Sequence, residues 1–278
     1  ALEKTQSDNP AAADAKILQD RSLNYRVLNF AVSTFNDNET SYFHKSVGGY
    51  HPAKLRRYQE MIDAYIAPQM QAAMGEISTK GGDMQKVDGR KVFPVLNMLN
   101  TKYFILPLQG GTTVALQNPY AQGNAWFVNK IVYVGDANAE YAQVAKINLQ
   151  TEAVADKKFE SALGQAITND STATVRLTSY QPNNLRYTVD SKNGGIVVFS
   201  EIYYPGWTAT VDGTPTPIAR VNYILRALTV KPGKHTVVFD FHPSSIRTTE
   251  IIAYISLVLL LLAIVGTVYV EFRKSRHA

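Results

Sequence analysis

An uncharged segment near the C-terminal end constrains this chain more than any other feature. Residues 251–270 read IIAYISLVLLLLAIVGTVYV, without one charged side chain. A helix of that length rises about 30 Å, which matches the hydrocarbon core of a bilayer. A buried core helix is the alternative, but such helices rarely stay apolar on every face over several turns. The segment therefore predicts a transmembrane helix.

The charges flanking this segment predict its orientation. The sequence after it, EFRKSRHA, carries three Lys or Arg residues, whereas residues 236–250 carry only Arg247. Because basic flanks stay in the cytoplasm, we expect a cytoplasmic tail, with residues 1 to about 245 extracytoplasmic. Export of so large a domain needs an upstream signal, and residues 1–30 contain no apolar signal core. We therefore expect a part of a longer membrane protein, or a chain that has lost its signal.

Composition excludes several classes of function. The absence of cysteine rules out disulfides, thiolate nucleophiles and cysteine-based metal or iron–sulfur sites. Lys and Arg outnumber Asp and Glu by 28 to 23 without a basic stripe, so no nucleic-acid partner is expected. The glycine-rich nucleotide-binding motifs and the hydrolase nucleophile motif do not occur, and we expect no cofactor.

Residues 1–168 mix helical and strand patterns. Asp136 is a candidate N-cap for a helix beginning at Ala137, because its carboxylate can accept free backbone N–H groups. This mixture predicts an α/β layer domain within an overall α+β fold. Helices are expected over residues 10–20, 53–74 and 94–101, and strands over 25–30, 103–106, 113–117 and 125–134.

Residues 169–243 follow a different rhythm of short strands separated by explicit turns such as Asn193-Gly194 and Asp212-Gly213. This spacing predicts an antiparallel β-sandwich, Ig-like or similar to carbohydrate-binding domains. Residues 244–278 then form the third unit, the membrane helix and basic tail. The seven strands are expected over residues 173–180, 185–190, 196–202, 207–211, 218–221, 224–230 and 235–241.

Two groups of motifs resemble the YfhO-like family of bacterial membrane proteins. In the sandwich region, the motifs FSEIYYPGW (199–207), VDG (211–213), NYILR (222–226) and PGKHT (232–236) follow one another in order. In the N-terminal region, the motifs YRVLN (25–29), TSYFH (40–44), GGYH (48–51) and KLRRY (54–58) are similar to the members from Bacteroidetes. The resemblance covers nearly the whole chain.

This resemblance implies a multi-pass parent protein of the GT-C glycosyltransferase type in the bacterial cytoplasmic membrane. Such enzymes use a lipid-linked sugar donor, and their catalytic carboxylate lies in the first extracytoplasmic loop. The chain departs from that pattern because it holds only one apolar helix. No catalytic residue is therefore assigned to it, and alone it is expected to be inactive. Its implied partners are the membrane, a glycan or lipid-linked sugar, and the upstream transmembrane part of the same protein.

Aromatic residues supply the first candidate site. Tyrosine and tryptophan rings stack on the apolar faces of sugar rings, while charged or amide groups bind the hydroxyls. The alternative is that Trp207 and one tyrosine simply fill the core between the two sheets. The candidate sugar-binding residues are Tyr203, Tyr204, Trp207, Tyr223 and Arg226.

A second candidate site lies around the start of the helix expected at residue 53. A basic helix start near a membrane is suited to lipid-linked phosphate, although a solvated helix face gives the same pattern. The candidate contacts are His44, Tyr50, His51, Arg56 and Arg57. His44 and His51 lack a third ligand at metal spacing, and Asp37 and Glu39 are typical of a solvated turn, so no metal site is assigned.

Two classes of function remain open. The first is a part of a membrane glycosyltransferase-like protein that assists donor or acceptor binding. The second is a non-enzymatic envelope protein, anchored in the membrane as a binding or scaffold module.

Overall fold

A computed structural model describes residues 10–165 and 171–276. Short helices dominate its N-terminal part, and one long helix follows the last strand. The α-helices are α1 (Ala12–Ile17), α2 (Glu39–Phe43), α3 (Arg56–Met61), α4 (Ala67–Thr79), α5 (Gly89–Val92), α6 (Pro94–Met98), α7 (Ala137–Gln143), α8 (Glu160–Leu163) and α9 (Ser244–Ser275). Single 3-10 turns cover Met84–Lys86, Gln109–Gly111, Val144–Lys146 and Lys157–Phe159.

Fourteen strands in the described residues form four sheets. The strands are β1 (Arg26–Asn29), β2 (Thr101–Pro107), β3 (Thr113–Gln117), β4 (Ala125–Val128), β5 (Lys130–Val134), β6 (Glu152–Asp156), β7 (Thr174–Gln181), β8 (Asn184–Ser191), β9 (Gly195–Ile202), β10 (Trp207–Val211), β11 (Thr214–Thr216), β12 (Ala219–Val221), β13 (Leu225–Val230) and β14 (Gly233–Phe241).

The predicted antiparallel sandwich is confirmed. Its five-stranded sheet has the order β11-β10-β14-β8-β7, and its four-stranded sheet has the order β12-β13-β9-β4. Between the sheets, Tyr187, Phe199 and Phe239 form a fully buried aromatic group with ring centroids 4.9–6.0 Å apart. Alternation along each strand directs these residues inward.

The four-stranded sheet is covered on both faces. Val197 and Phe199 of β9 pack toward the five-stranded sheet, whereas Ile196 and Val198 pack into a second core with the N-terminal elements. β9 is therefore buried along nearly its whole length. The elements that cover its second face are far away in sequence, so local alternation does not predict them.

The stretch predicted as one strand over residues 125–134 is two strands that part at Asn129. β4 pairs antiparallel with β9 of the sandwich, whereas β5 pairs parallel with β6. The four-stranded sheet thus includes a strand from the predicted N-terminal domain. The predicted domain boundary at residues 168 and 169 falls outside the described residues and stays a prediction.

The N-terminal layer holds the remaining elements. β1 runs parallel to β2, and β3 runs antiparallel to β2. The predicted helix over residues 53–74 extends instead over α3 and α4, joined by a π-helical segment at Ile62–Ile66. Pro68 explains this segment, because its ring excludes the carbonyl four residues back and it has no N–H to donate. Asp136 caps α7 as predicted, accepting a hydrogen bond from Ala139 N at 2.8 Å.

The apolar C-terminal segment is helical. Within α9, residues Thr248–Ser275 form one helix that is long and apolar enough to cross a membrane. Its membrane-length window has a mean hydropathy of 2.8 and is not buried against the rest of the protein. An apolar helix without a protein partner fits a lipid surrounding.

Candidate functional site

Two clefts flank the segment that connects β9 to β10. The segment contains Tyr203, Tyr204, Pro205 and Gly206, and residues 203–205 line both clefts. We call residues 203–205 the aromatic ridge. Gly206 has a φ of +97°, and its carbonyl accepts a hydrogen bond from His242 N at 2.9 Å. The ridge therefore sits beside the last residues before α9.

The first cleft, the Trp207 cleft, has a volume of about 450 Å³. Half-buried Trp207 forms one wall, with its ring centroid 5.1 Å from that of Phe241. The guanidinium carbon of Arg226 lies 4.1 Å from the centroid of the Trp207 ring. Arg226 is the only charged residue among the described lining residues. The cleft thus combines an aromatic face with a cation stacked on it.

Arg226 also belongs to a buried group of charges. Glu201 accepts hydrogen bonds from Lys45 Nζ at 3.0 Å and from Asn24 Nδ2 at 2.8 Å. Burial raises the pKa of Glu201, but the charges of Lys45 and Arg26 outweigh it and hold that pKa below its usual value. Burial and the nearby Arg26 charge lower the pKa of Lys45 to about 8. Cations therefore outnumber anions in this group.

The second cleft, the Tyr223 cleft, has a volume of about 390 Å³ and joins the ridge to the start of α3. Its charged lining residues are Arg56, Arg57 and Arg220. The guanidinium carbon of Arg57 lies 4.3 Å from the centroid of the Tyr223 ring. The Tyr223 hydroxyl donates to Glu60 of α3, so a side chain of the sandwich binds the N-terminal layer directly.

Glu140 of α7 balances the charges beside the Tyr223 cleft. It is fully buried, and its carboxylate accepts a hydrogen bond from Arg220 Nη2 at 2.8 Å and from Tyr223 N at 3.2 Å. Arg57 Nη1 lies 3.7 Å from the same carboxylate. Asn222 and Tyr223 both have positive φ angles, an arrangement that β-branched or bulky residues rarely adopt. The turn is held in this conformation because Asn222 Oδ1 accepts from Val154 N and Tyr223 N donates to Glu140.

One comparison with known proteins supports a family assignment. Residues 139–253 match the family model described as bacterial membrane protein YfhO. The chain is similar to this family over those residues. The matched residues include Tyr203, Tyr204, Trp207, Tyr223 and Arg226, but neither Arg56 nor Arg57. Searches of curated proteins and of solved structures return no significant match.

The family match confirms the resemblance carried by the sandwich-region motifs at residues 199–236. It also supports a membrane protein, in agreement with the apolar helix α9. The N-terminal motifs lie before the matched residues.

The five residues predicted to bind sugar are distributed over both clefts. Trp207 and Arg226 line the first, Tyr223 lines the second, and Tyr203 and Tyr204 line both. Tyr204 is 46% exposed. Trp207 packs at the end of the sandwich against Phe241, whereas Tyr187, Phe199 and Phe239 fill the centre of the core. The role of these residues in sugar binding stays a prediction.

The five residues predicted to contact phosphate do not form one group. Arg56 and Arg57 line the Tyr223 cleft. The His44 side chain is 3% exposed, and its Nε2 lies 2.8 Å from Asp14 Oδ1, away from that cleft. Tyr50 is exposed, and His51 Nδ1 accepts from Ala53 N at 3.1 Å. Sequence proximity grouped these residues, whereas the chain turns sharply between them.

The sequence interpretation missed Arg220, Glu140 and Glu60. Arg220 lies 80 residues from Glu140 in the sequence, so no local pattern predicts their ion pair. The available signal was weak: Glu140 is an acidic residue one turn into a capped helix, which by itself is typical of a solvated position. Across residues 10–165 and 171–276, no three His, Asp or Glu side chains are close enough to hold a metal ion.

Proposed function

We propose that this YfhO-like chain is the extracytoplasmic, membrane-anchored part of a glycosyltransferase-like protein of the bacterial cell envelope. In this role it binds the sugar of a donor or an acceptor and does not itself make the glycosidic bond. One observation carries the proposal: Tyr203, Tyr204, Trp207 and Arg226 converge on a single cleft.

The cleft has the chemistry that saccharides require. Sugar rings present apolar C–H faces that pack on aromatic rings, and the aromatic ring loses little conformational freedom on binding. Tyr204 and Trp207 keep part of their surface in solvent, so a ligand can reach them. Gly206 and Thr208 also line this cleft.

Arg56 and Arg57 support the second part of the proposal. They line the Tyr223 cleft, which shares the aromatic ridge with the Trp207 cleft, so a phosphate linked to the sugar could meet them. Gly206 lies close to Pro243, the residue before α9, since a Cβ atom at Gly206 would lie 3.0 Å from Pro243 Cβ. The ridge is therefore close to the start of the membrane helix, where a lipid-linked ligand would arrive.

A non-enzymatic scaffold is the second candidate, and a specific observation favours it. In the Tyr223 cleft, Arg57, Arg220 and Tyr223 already bind Glu140 and Glu60 of the N-terminal layer. A purely structural role, joining the two layers of the fold, is enough to explain these contacts. In that case the chain would act by binding another envelope protein.

A glycan array probed with the full chain in nanodiscs distinguishes the two candidates. We expect binding to a subset of glycans, with at least a tenfold loss in Trp207→Ala and Tyr204→Ala. Tyr42→Ala is the matched control, because Tyr42 is 65% exposed and lines neither cleft. No glycan binding, together with stable recovery of a purified envelope protein partner, would contradict the proposal.

The proposed orientation has a separate test. A reporter that is active only in the cytoplasm, fused after Ala278, should be active. An active periplasmic-type reporter at the same position would reverse the proposed topology.

A further inference from the structure

Arg226 is a buried cation whose hydrogen-bonding capacity is incompletely used. The residue is 3% exposed. Its Nε donates to the Ile202 carbonyl at 2.9 Å, whereas its buried Nη1 has no hydrogen-bond partner within the described ranges. A guanidinium carries five N–H donors, and burying a donor without an acceptor costs free energy. A buried donor without a partner calls for an explanation, and a bound ligand is one.

The surrounding charges do not neutralise Arg226. Among the residues that the structure describes, no carboxylate lies within ion-pair distance of it. Glu201, whose charge attracts Arg226, is hydrogen-bonded to Lys45 instead. Arg26 adds a further buried cation and donates to the Ser200 carbonyl at 2.9 Å. Three cations thus share one carboxylate.

The pKa of Arg226 agrees with this geometry. Burial lowers it to about 10, and the attraction of Glu201 does not compensate. The charged guanidinium is therefore held without a close counter-ion.

Arg226, although 3% exposed, is one of the residues that line the Trp207 cleft. Its described lining residues include no Asp or Glu, so nothing there repels a negative charge. The guanidinium and the indole are stacked 4.1 Å apart, which places the aromatic platform and the charge at one position. Arginine binds carboxylate and phosphate through two parallel hydrogen bonds, a geometry that neutral hydroxyls do not match.

We propose that the saccharide bound in the Trp207 cleft carries an anionic group, a carboxylate or a phosphate, which Arg226 recognises while the sugar ring packs on Trp207. The inference rests on the proposed sugar-binding function and specifies the charge of its ligand. In the Tyr223 cleft, Arg57 Nη1 and Arg220 Nε likewise have no hydrogen-bond partner among the described residues. That cleft fits the role less well because its arginines have carboxylates: Arg57 and Arg220 face Glu140, and Arg56 pairs with Glu60.

The test compares matched saccharides on the unmodified full chain in nanodiscs. Each glycan backbone on an array is presented in three forms: neutral, oxidised to the uronate, and phosphorylated at the same carbon. We expect an acidic form to bind at least tenfold more tightly than its neutral counterpart, with the preference shrinking as NaCl rises from about 0.05 to 0.5 M. The uronate and phosphate arms distinguish the two sources of charge.

The outcomes separate the inference from the proposed function. Equal or tighter binding of the neutral forms overturns the inference and leaves sugar binding intact. If polyacrylate binds as tightly as the acidic glycans, the chain recognises negative charge without the sugar. That result also overturns the inference. No binding of any glycan form contradicts the proposed function itself.

Variants add a positional test. Arg226→Met should abolish the acidic preference, and Arg226→Lys should retain only part of it because lysine lacks the planar fork. Arg176→Met is the matched control, since it removes an exposed arginine of β7 outside the Trp207 cleft. An unchanged preference for acidic glycans in folded Arg226→Met contradicts the assignment. If that variant does not fold, the comparison of neutral and acidic glycans on the unmodified chain decides whether the ligand is anionic.

Discussion

The two clefts on either side of the aromatic ridge contain the same residue types in different states. In the Tyr223 cleft, Arg57 and Arg220 share the fully buried Glu140, and Arg56 pairs with Glu60. In the Trp207 cleft, Arg226 has no ion pair among the described residues and stacks on an aromatic ring. One set of arginines joins two layers of the fold, and the other arginine remains available.

This difference teaches how to separate structural from functional cations. A buried ion pair is held by mutual compensation, so removing one partner leaves an uncompensated charge. A buried cation without such a partner gains more from an external anion. The predictions below break or sharpen this contrast.

The largest effect is expected for Glu140→Gln. This substitution keeps the shape of the side chain but leaves Arg220 and Arg57 without a buried counter-ion. We expect a loss of about 3–5 kcal/mol in the free energy of unfolding. Urea unfolding of the full chain in detergent measures it, with Glu60→Gln as a more exposed control that costs about 1 kcal/mol or less. A loss below about 1 kcal/mol for Glu140→Gln would show that the Tyr223 cleft is not a structural joint.

A smaller effect is expected at the base of the Trp207 cleft. Gly206 has a φ of +97°, and an added Cβ would lie 3.0–3.1 Å from atoms of Pro243 and Phe241. We expect Gly206→Ala to destabilise the chain by about 1–3 kcal/mol through backbone strain and crowding. Gly213 is the matched control, because its φ is +79° but an added Cβ meets nothing within 4 Å. Equal losses in the two variants would exclude any contribution from the Pro243 contact.

The charge group around Glu201 predicts a pH dependence. The folded-state pKa of Lys45 is about 8, below its usual 10.5. Between these values the unfolded chain holds a proton that the folded chain has released, so stability rises with pH. We expect the free energy of unfolding of the full chain, obtained from thermal denaturation, to rise between pH 8 and 10. The rise should be less than about 1.4 kcal/mol per pH unit. In Lys45→Met the rise should disappear, and an unchanged rise would assign it to another group.

The smallest effect is expected for Arg56→Met. The Arg56 side chain is 92% exposed although it pairs with Glu60 at 2.9 Å. Exposed pairs contribute about 0–1 kcal/mol, so stability should barely change. If the phosphate hypothesis holds, binding of a lipid-linked sugar phosphate should nevertheless weaken severalfold in the same variant. A large loss of stability would instead show that Arg56 has a structural role, like Arg57 and Arg220.

Local patterns predicted the parts of this fold that depend on neighbours in sequence. The uncharged residues of α9, the Asp136 cap and strand β10, which begins at Trp207, are each determined by a few adjacent residues.

Contacts between distant residues were not predictable in the same way. β4 joins the sandwich through β9, about 70 residues later in the chain, and His44 binds Asp14 instead of joining Arg56. The sequence interpretation selected Arg226 as a polar partner for sugar hydroxyls. That this side chain is buried without a counter-ion depends on the three-dimensional arrangement of Arg26, Lys45 and Glu201.

The most direct test of the central claim is a fluorescence titration that follows Trp207 alone. The sequence has two tryptophans, so Trp126→Phe leaves Trp207 as the single reporter. Glycans that bind the full chain should change the emission of Trp207 in a saturable way, with the same midpoint as the binding curve, because the sugar ring packs on the indole. Glycan binding with no change in Trp207 emission would contradict the account and place the ligand elsewhere.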